Sequence, residues 1–70
     1  MQKRYFWGLE AVRGRDTRYV HRFRTGEERK QWSLGNLYHS HLSATDPEVR
    51  RIQRRIAAGE EVIFPVEVTP

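Results

Sequence analysis

The chain has 70 residues and no cysteine, so a single small apolar core has to hold it together. The lack of cysteine excludes disulfide bonds, thiolate zinc sites and cysteine nucleophiles. A domain of this size is stabilised by roughly 3.5–10 kcal/mol, at about 0.05–0.15 kcal/mol per residue. Two Trp, three Tyr and three Phe are enough to build a core, so we expect one folded domain over residues 1–70.

The N-terminal aromatic segment is too short for a signal peptide, because Gly8 and Glu10 interrupt it. No stretch of the sequence approaches the roughly 20 apolar residues that cross a bilayer. The absence of cysteine also fits a reducing compartment. We therefore expect a cytoplasmic protein with no membrane partner.

The basic charge is unevenly distributed and is carried almost entirely by arginine. The formal net charge is +4, and eleven of the thirteen basic residues are Arg. Residues 1–24 hold seven basic side chains against two acidic ones, whereas residues 60–70 hold three glutamates and no basic residue. The planar guanidinium group can bind a carboxylate or a phosphate through two parallel hydrogen bonds, so this composition favours an acidic partner.

The first 24 residues predict an antiparallel hairpin. Residues 3–12 are rich in aromatic and β-favouring types, and residues 18–24 alternate between apolar and polar side chains. Residues 13–17 between them have turn chemistry, since Gly14 can adopt a positive φ and Asp16 can bond its own backbone.

A first helix is predicted to begin at Thr25. This residue precedes Glu28 by three positions, the spacing of a capping box. The helix carries Trp32 towards the core and ends near Gly35, for which we expect a left-handed conformation. Residues 36–45 have no clean period and predict a loop, with a helical extension as the alternative.

A second helix is predicted from Asp46, the N-cap, and Pro47 in the first turn, to Gly59 at its end. It has an apolar stripe at i, i+3, i+7 and an arginine arc on the opposite side. The stripe is Val49, Ile52 and Ile56, and the arginine arc is Arg50, Arg51, Arg54 and Arg55.

Residues 61–68 predict a third strand, which Pro65 either confines to an edge or breaks. The order β-β-α-α-β predicts an α+β fold, a three-stranded antiparallel sheet with both helices on one face. The side chains expected on the buried side are Tyr5, Trp7, Leu9, Tyr19, His21 and Phe23 of the hairpin, with Trp32, Ile52, Ile56 and Phe64.

The open face of this sheet is the first candidate binding surface. A basic sheet with an exposed aromatic ring can bind single-stranded nucleic acid by base stacking and phosphate contacts. The alternative is a solvated face on which Glu10 pairs with a neighbouring arginine. The residues predicted on this face are Phe6, Glu10, Arg18, Val20, Arg22 and Arg24.

The arginine arc is the second candidate surface. It can follow a phosphate backbone, bind an acidic protein or simply keep an exposed helix soluble. Arginines at i, i+1, i+4 and i+5 repel one another, which favours an acidic partner. Together, the candidate binding residues are Phe6, Arg18, Arg22, Arg24, Arg50, Arg51, Arg54 and Arg55.

The sequence shows no catalytic or metal-binding motif. His21, His39 and His41 are the only metal-like cluster, and His21 is expected in the hairpin core. The serines near these histidines do not make a nucleophile, base and orienter, and no Gly-rich phosphate loop is present. We therefore predict a non-enzymatic protein without a cofactor or metal.

The segment from His21 to Trp32 has the pattern His-Arg-Phe-Arg-Thr-x-x-Glu-Arg-x-x-Trp after an aromatic strand and a short turn. Over roughly the first half of the chain this pattern resembles short accessory proteins of phages and prophages. Some phage proteins of this size are anti-defence factors, including anti-CRISPR proteins, which occlude a host complex without chemistry. Many of those are acidic nucleic-acid mimics, whereas this chain is basic. The resemblance carries over no functional residue.

Three hypotheses follow for the function. The first is a phage or mobile-element protein in the host cytoplasm that docks through arginine-rich surfaces on a host protein or nucleoprotein complex and inhibits or modulates it. The alternative is a small nucleic-acid-binding protein with low sequence specificity. The third is a structural or assembly protein that forms a homodimer, so both monomer and homodimer remain open.

Overall fold

A computed structural model, which describes residues 4–69, contains an antiparallel sheet of four strands and two helices. The α+β class is therefore confirmed, but the predicted three-stranded sheet and the order β-β-α-α-β are wrong in detail. The observed strand order across the sheet is β3-β1-β2-β4. In chain order the elements are β1 (Phe6–Ala11), β2 (Arg18–Phe23), α1 (Gly26–Leu34), β3 (His39–Leu42), α2 (Pro47–Ala57) and β4 (Val66–Val68).

The hairpin of β1 and β2 is confirmed. The two strands pair antiparallel from Phe6 opposite Phe23 to Ala11 opposite Arg18. In the connecting turn Gly14 has a φ of +76°, as expected of a residue that must adopt a left-handed conformation. Residue 3 of the predicted first strand lies outside the described residues, and the observed strand begins at Phe6.

The predicted assignment of side chains to the two sheet faces is wrong. Trp7 lies opposite Arg22 and Leu9 lies opposite Val20, so these four share one face, here called the core face. Val20, which was expected on the open face, is completely buried. Alternation in the sequence shows which residues of one strand share a face. The cross-strand register decides which face of the neighbouring strand lies on the same side of the sheet. The other face, here called the histidine face, carries Phe6, Gly8, Glu10, Tyr19, His21, Phe23, His39 and His41.

The two helices lie on opposite faces, which corrects the prediction that both cover one face. Helix α2 packs Val49 and Ile52 on the core face. Helix α1 packs Trp32 on the histidine face, with its ring centroid 4.9 Å from that of His21 and 5.2 Å from that of Phe23. Both faces of the hairpin carry aromatic side chains, so each face gains from a covering helix.

The start of α1 follows the prediction. The Thr25 hydroxyl accepts a hydrogen bond from the Glu28 N–H at 3.1 Å, which satisfies one of the free donors of the first turn. The helix ends at Gly35, but the φ of this glycine is −99°, so the predicted left-handed cap is wrong.

Both ends of α2 follow the prediction. The Asp46 carboxylate accepts a hydrogen bond from the Glu48 N–H at 3.0 Å, and Pro47 occupies the first turn. Gly59 lies just beyond the helix with a φ of +90°. Neither helix in residues 4–69 is long and apolar enough to span a membrane.

Strand β3 forms where a loop or a helical extension was predicted. It pairs antiparallel with β1, from Trp7 opposite Leu42 to Glu10 opposite His39. Only Leu42 of its four residues is even half-buried. A short edge strand of this kind has no apolar alternation in its sequence, so periodicity does not reveal it.

Strand β4 is shorter than the predicted strand over residues 61–68. Regular pairing with β2 begins at Val66, directly after Pro65, and β4 is an edge strand as the proline predicted. Ahead of it, Val62 and Phe64 are half-buried and pack against the core.

The fully buried side chains of the described chain form one small cluster between the core face and α2. Partly buried side chains, including Tyr5, Leu9 and Phe64, surround this cluster. Ile56, which was expected in the core, is 36% exposed, so only the first two residues of the α2 stripe are buried. The cluster consists of Trp7, Val20, Val49 and Ile52.

Candidate interaction surfaces

The arginine arc of α2 is exposed, as its helical spacing predicted. Two of its four side chains have an acidic partner. Arg55 donates two hydrogen bonds to the Glu60 carboxylate, at 2.7 and 3.0 Å, and these lower the pKa of the Glu60 carboxyl. Arg51 lies 3.6 Å from Glu48 on the preceding turn.

The other two arginines of the arc, Arg50 and Arg54, have no ion pair with any of the described residues. Both are exposed on the side of α2 that faces away from Val49 and Ile52. Each guanidinium group presents several N–H donors in a fixed planar geometry. This pair is therefore the part of the arc with the most capacity for a carboxylate or phosphate partner.

Arg18 extends the basic surface from α2 to the sheet. It is exposed and lies opposite Val68 across the β2–β4 pair, so the two residues share a face. Val68 in turn lines a groove of about 230 Å³ together with Arg51 and Arg55. Arg18 and the arginine arc therefore border the same region of the molecule.

Arg22 is half-buried between two aromatic rings. Its guanidinium carbon lies 4.3 Å from the ring centroid of Tyr5 and 4.5 Å from that of Phe64. Both rings also make edge contacts with Trp7, at centroid distances of 6.4 and 5.8 Å. Arg22 thus joins the segment before β1 to the segment before β4 through cation–π contacts.

Phe6 does not share a face with Arg18 and Arg22. It lies on the histidine face, where the Arg29 guanidinium is 5.1 Å from its ring centroid. Arg24 is exposed in the connection between β2 and α1. The predicted open face, with an aromatic ring among arginines, is therefore not formed.

Glu10 accepts hydrogen bonds from His21 and Asn36 on the histidine face. The alternative prediction, that Glu10 pairs with a neighbouring arginine, is not met by any arginine in residues 4–69. The distances are 2.9 Å from His21 Nε2 and 3.0 Å from Asn36 Nδ2. The bond from His21, and then that from Asn36, lower the pKa of the Glu10 carboxyl below its ordinary value of 4.5. This network ties the loop after α1 to the centre of the sheet.

Glu10→Gln is expected to lower the free energy of unfolding at pH 7 by about 0.5–1.5 kcal/mol, because it removes the charge from these hydrogen bonds. A carboxyl whose pKa is lowered by folding stabilises the protein above pH 4.5, and this contribution is lost as the pH falls through the folded value. The difference between the variant and the original chain should therefore shrink in acid.

Urea denaturation at about pH 7 and about pH 3.5, on either side of the ordinary carboxyl pKa, measures this change. Glu61→Gln is the matched control, since Glu61 is exposed and has no hydrogen bond or ion pair with the described residues. A Glu10→Gln difference of equal size at both pH values would contradict the role of the ionised carboxylate.

The three histidines of the metal-like cluster lie on one face of the sheet, with the rings of His39 and His41 5.9 Å apart, but two of them use a ring nitrogen for another partner. His21 bonds Glu10, and His39 donates from Nδ1 to the carbonyl of Asn36 at 2.6 Å. Partial desolvation, followed by the nearby charges of Arg29 and His39, lowers the pKa of His41. Within residues 4–69, no group of three or more His, Asp or Glu side chains is arranged to hold a metal ion.

Arg29 is a candidate binding residue that the sequence analysis missed. From α1 it reaches the sheet, where its Nη1 donates to the Trp7 carbonyl at 3.3 Å. In the sequence this arginine is one of several charged residues of a polar helix, and nothing marks it as half-buried.

Comparison of the chain with protein-family models, curated proteins and solved structures found no match.

Proposed function

We propose that this protein is a non-enzymatic binding protein whose arginine arc docks on an acidic surface of a host macromolecular complex. The observation that carries the proposal is the exposure of Arg50 and Arg54 without an acidic partner among the described residues. They lie one helical turn apart on α2, so their two charges repel each other along the helix. Carboxylate groups of a partner would reduce that repulsion and accept hydrogen bonds from these two guanidinium groups.

The resemblance to short phage accessory proteins supports an origin in a phage or mobile element. A protein of this kind inhibits or modulates a host complex, as anti-CRISPR proteins do, by covering a surface that the complex needs. Its basic charge suits it to an acidic protein surface rather than to imitation of nucleic acid. Such occlusion requires a stable fold and a docking face, and it requires no reaction.

Nucleic acid is the alternative partner, because a row of arginines can also follow a phosphate backbone. One argument for nucleic-acid binding, base stacking on the sheet, no longer holds. Base stacking on the sheet would need an aromatic ring among the arginines, and Phe6 lies on the opposite face from Arg18 and Arg22. An acidic protein surface needs only the guanidinium groups of the arc.

Titration with short duplex and single-stranded DNA and RNA at about 50 and 200 mM salt distinguishes the two hypotheses. We expect no tight binding at the lower salt. Tight binding that collapses at the higher salt would establish the nucleic-acid alternative and contradict the protein partner. If the expected result is obtained, affinity capture from host cells with nuclease present identifies the protein.

Replacement of Arg50, Arg51, Arg54 and Arg55 together by Gln is expected to abolish binding to the captured partner while the fold is retained. All four side chains are exposed, so the substitution leaves the core intact. The double variant in which only Arg50 and Arg54 are replaced by Gln should lose at least about tenfold in affinity. It removes the two guanidinium groups that have no acidic partner among the described residues.

Arg13→Gln combined with Arg15→Gln is the matched control for the double variant. Both residues are exposed in the hairpin turn, and the change in net charge is the same. We expect this control to lose less than about threefold, as charges outside the docking face affect mainly the association rate. Equal losses in the two double variants would show that only net charge matters, and retained binding in the quadruple variant would remove α2 from the site.

A further inference from the structure

We propose that a groove at the junction of β1, α1 and the segment between β3 and α2 binds a small organic anion. The groove has a volume of about 470 Å³, within the range of sites that hold small ligands. Its walls include Arg4, Tyr5, Trp7, Arg29, Leu42 and Gln53. The groove is distinct from the arginine arc, and the proposal does not depend on the function proposed for that surface.

Two residues that line this groove, Trp7 and Arg29, each carry a buried donor. Trp7 is only 1% exposed, and its indole N–H has no acceptor among the described residues. The Nε–H of Arg29 is buried and likewise has no acceptor there. Buried donors in native proteins nearly always have an acceptor, so two on neighbouring residues of one groove point to a ligand whose oxygen atoms reach them when small side-chain shifts admit it.

Arg29 is held in place before any ligand binds. One of its terminal nitrogens donates to the Trp7 carbonyl at 3.3 Å, and its guanidinium lies 5.1 Å from the ring centroid of Phe6. A guanidinium that is already oriented loses little freedom when it binds a carboxylate or a phosphate. Exposed Arg4 adds a second positive charge, and no acidic side chain is among the residues that line the groove.

The remaining wall is largely apolar, which indicates the rest of the ligand. Tyr5, Phe6, Leu42 and Ala44 line the groove beside the two arginines, together with the polar residues Ser43 and Gln53. An aromatic or aliphatic body can lie against these groups while its anionic end faces Arg29 and Trp7. The ligand class is therefore a carboxylate or phosphate monoester on a small apolar body.

Titration of ¹⁵N-labelled protein with benzoate and with phenyl phosphate tests the proposal. We expect at least one of them to shift the indole N–H signal of Trp7 saturably, with a Kd of about 1–10 mM, as is ordinary for so small a ligand. Trp32→Phe assigns the two indole signals, and the tighter probe shows which anionic group the groove prefers. Benzamide, a neutral analogue of benzoate, should bind at least tenfold more weakly.

Arg29→Gln is expected to weaken binding of the tighter probe at least tenfold, and Arg4→Gln, at an exposed position where folding is not at risk, about threefold. Arg13→Gln, which removes one arginine in the distant hairpin turn, should change the Kd less than twofold. Three results would overturn the proposal: benzamide binding as tightly as benzoate, an Arg4→Gln effect no larger than that of Arg13→Gln, or no saturable shift with either anion up to about 50 mM.

Discussion

Ile52→Ala is expected to lower the free energy of unfolding by about 2–5 kcal/mol. Ile52 is 2% exposed and packs in the cluster with Trp7, Val20 and Val49. Its truncation leaves a cavity, and a core of four fully buried side chains has few neighbours that can move to fill it. Because the whole domain is stabilised by roughly 3.5–10 kcal/mol, this single truncation should remove a large fraction of its stability.

Urea denaturation followed by circular dichroism measures this loss, and Ile56→Ala is its matched control. The two isoleucines lie one turn apart on the same stripe of α2, but Ile56 is 36% exposed. We expect the control to lose less than about 1 kcal/mol, with a similar dependence on urea. A loss below about 1 kcal/mol for Ile52→Ala, or equal losses for both, would contradict the position of the core.

The parts of the fold that depend on neighbouring residues could be predicted from the sequence. Thr25 and Asp46 begin the two helices because their side chains bond backbone N–H groups two or three residues away. Gly14 lies in the hairpin turn and Gly59 follows the end of α2, because glycine adopts a positive φ without strain. These signals act within a few residues, so no knowledge of the tertiary structure is needed.

The matching of strand faces could not be predicted, because it depends on the pairing of distant residues. Polar side chains on Arg18 and Arg22 made their side of β2 look exposed, although Val20 between them is completely buried. Tyr5 and Phe64 shield the guanidinium of Arg22, a contact that no local pattern reveals. An error of one residue in register moves every side chain of a strand to the other face.

The candidate surfaces divide in the same way. The arginine arc could be predicted because a helix places residues on one side by their spacing alone. The prediction of a mixed aromatic and basic sheet face was wrong because it assumed an incorrect register between β1 and β2. The groove beside Arg29 could not be predicted at all, since it joins residues from β1, α1 and the segment after β3.

Gly8→Ala is expected to lower the free energy of unfolding by about 1–3 kcal/mol, the cost of overpacking a filled site. A Cβ at this position would lie 2.5 Å from Cζ3 and 2.8 Å from Cη2 of Trp32. The indole cannot withdraw freely, because it also packs against His21 and Phe23. In an ordinary strand position the same change would stabilise by roughly 0.5–1 kcal/mol, so even the sign is informative.

The same substitution made in a Trp32→Ala background should be close to neutral or stabilising, because the two atoms nearest to the new methyl group are gone. Only Cε2 of Phe23, 3.3 Å from the Cβ, remains, and a small shift of that ring relieves the contact. Urea denaturation of the four proteins in this cycle gives the coupling between the two positions. Gly35→Ala is the control, since its Cβ would approach Trp32 only at the carbonyl, 3.9 Å away. If Gly8→Ala costs the same in both backgrounds, the indole of α1 does not rest on the backbone of β1, and the packing of α1 on the histidine face is wrong. A change of sign instead places Trp32 directly over Gly8, and explains why β1 has no side chain at that position.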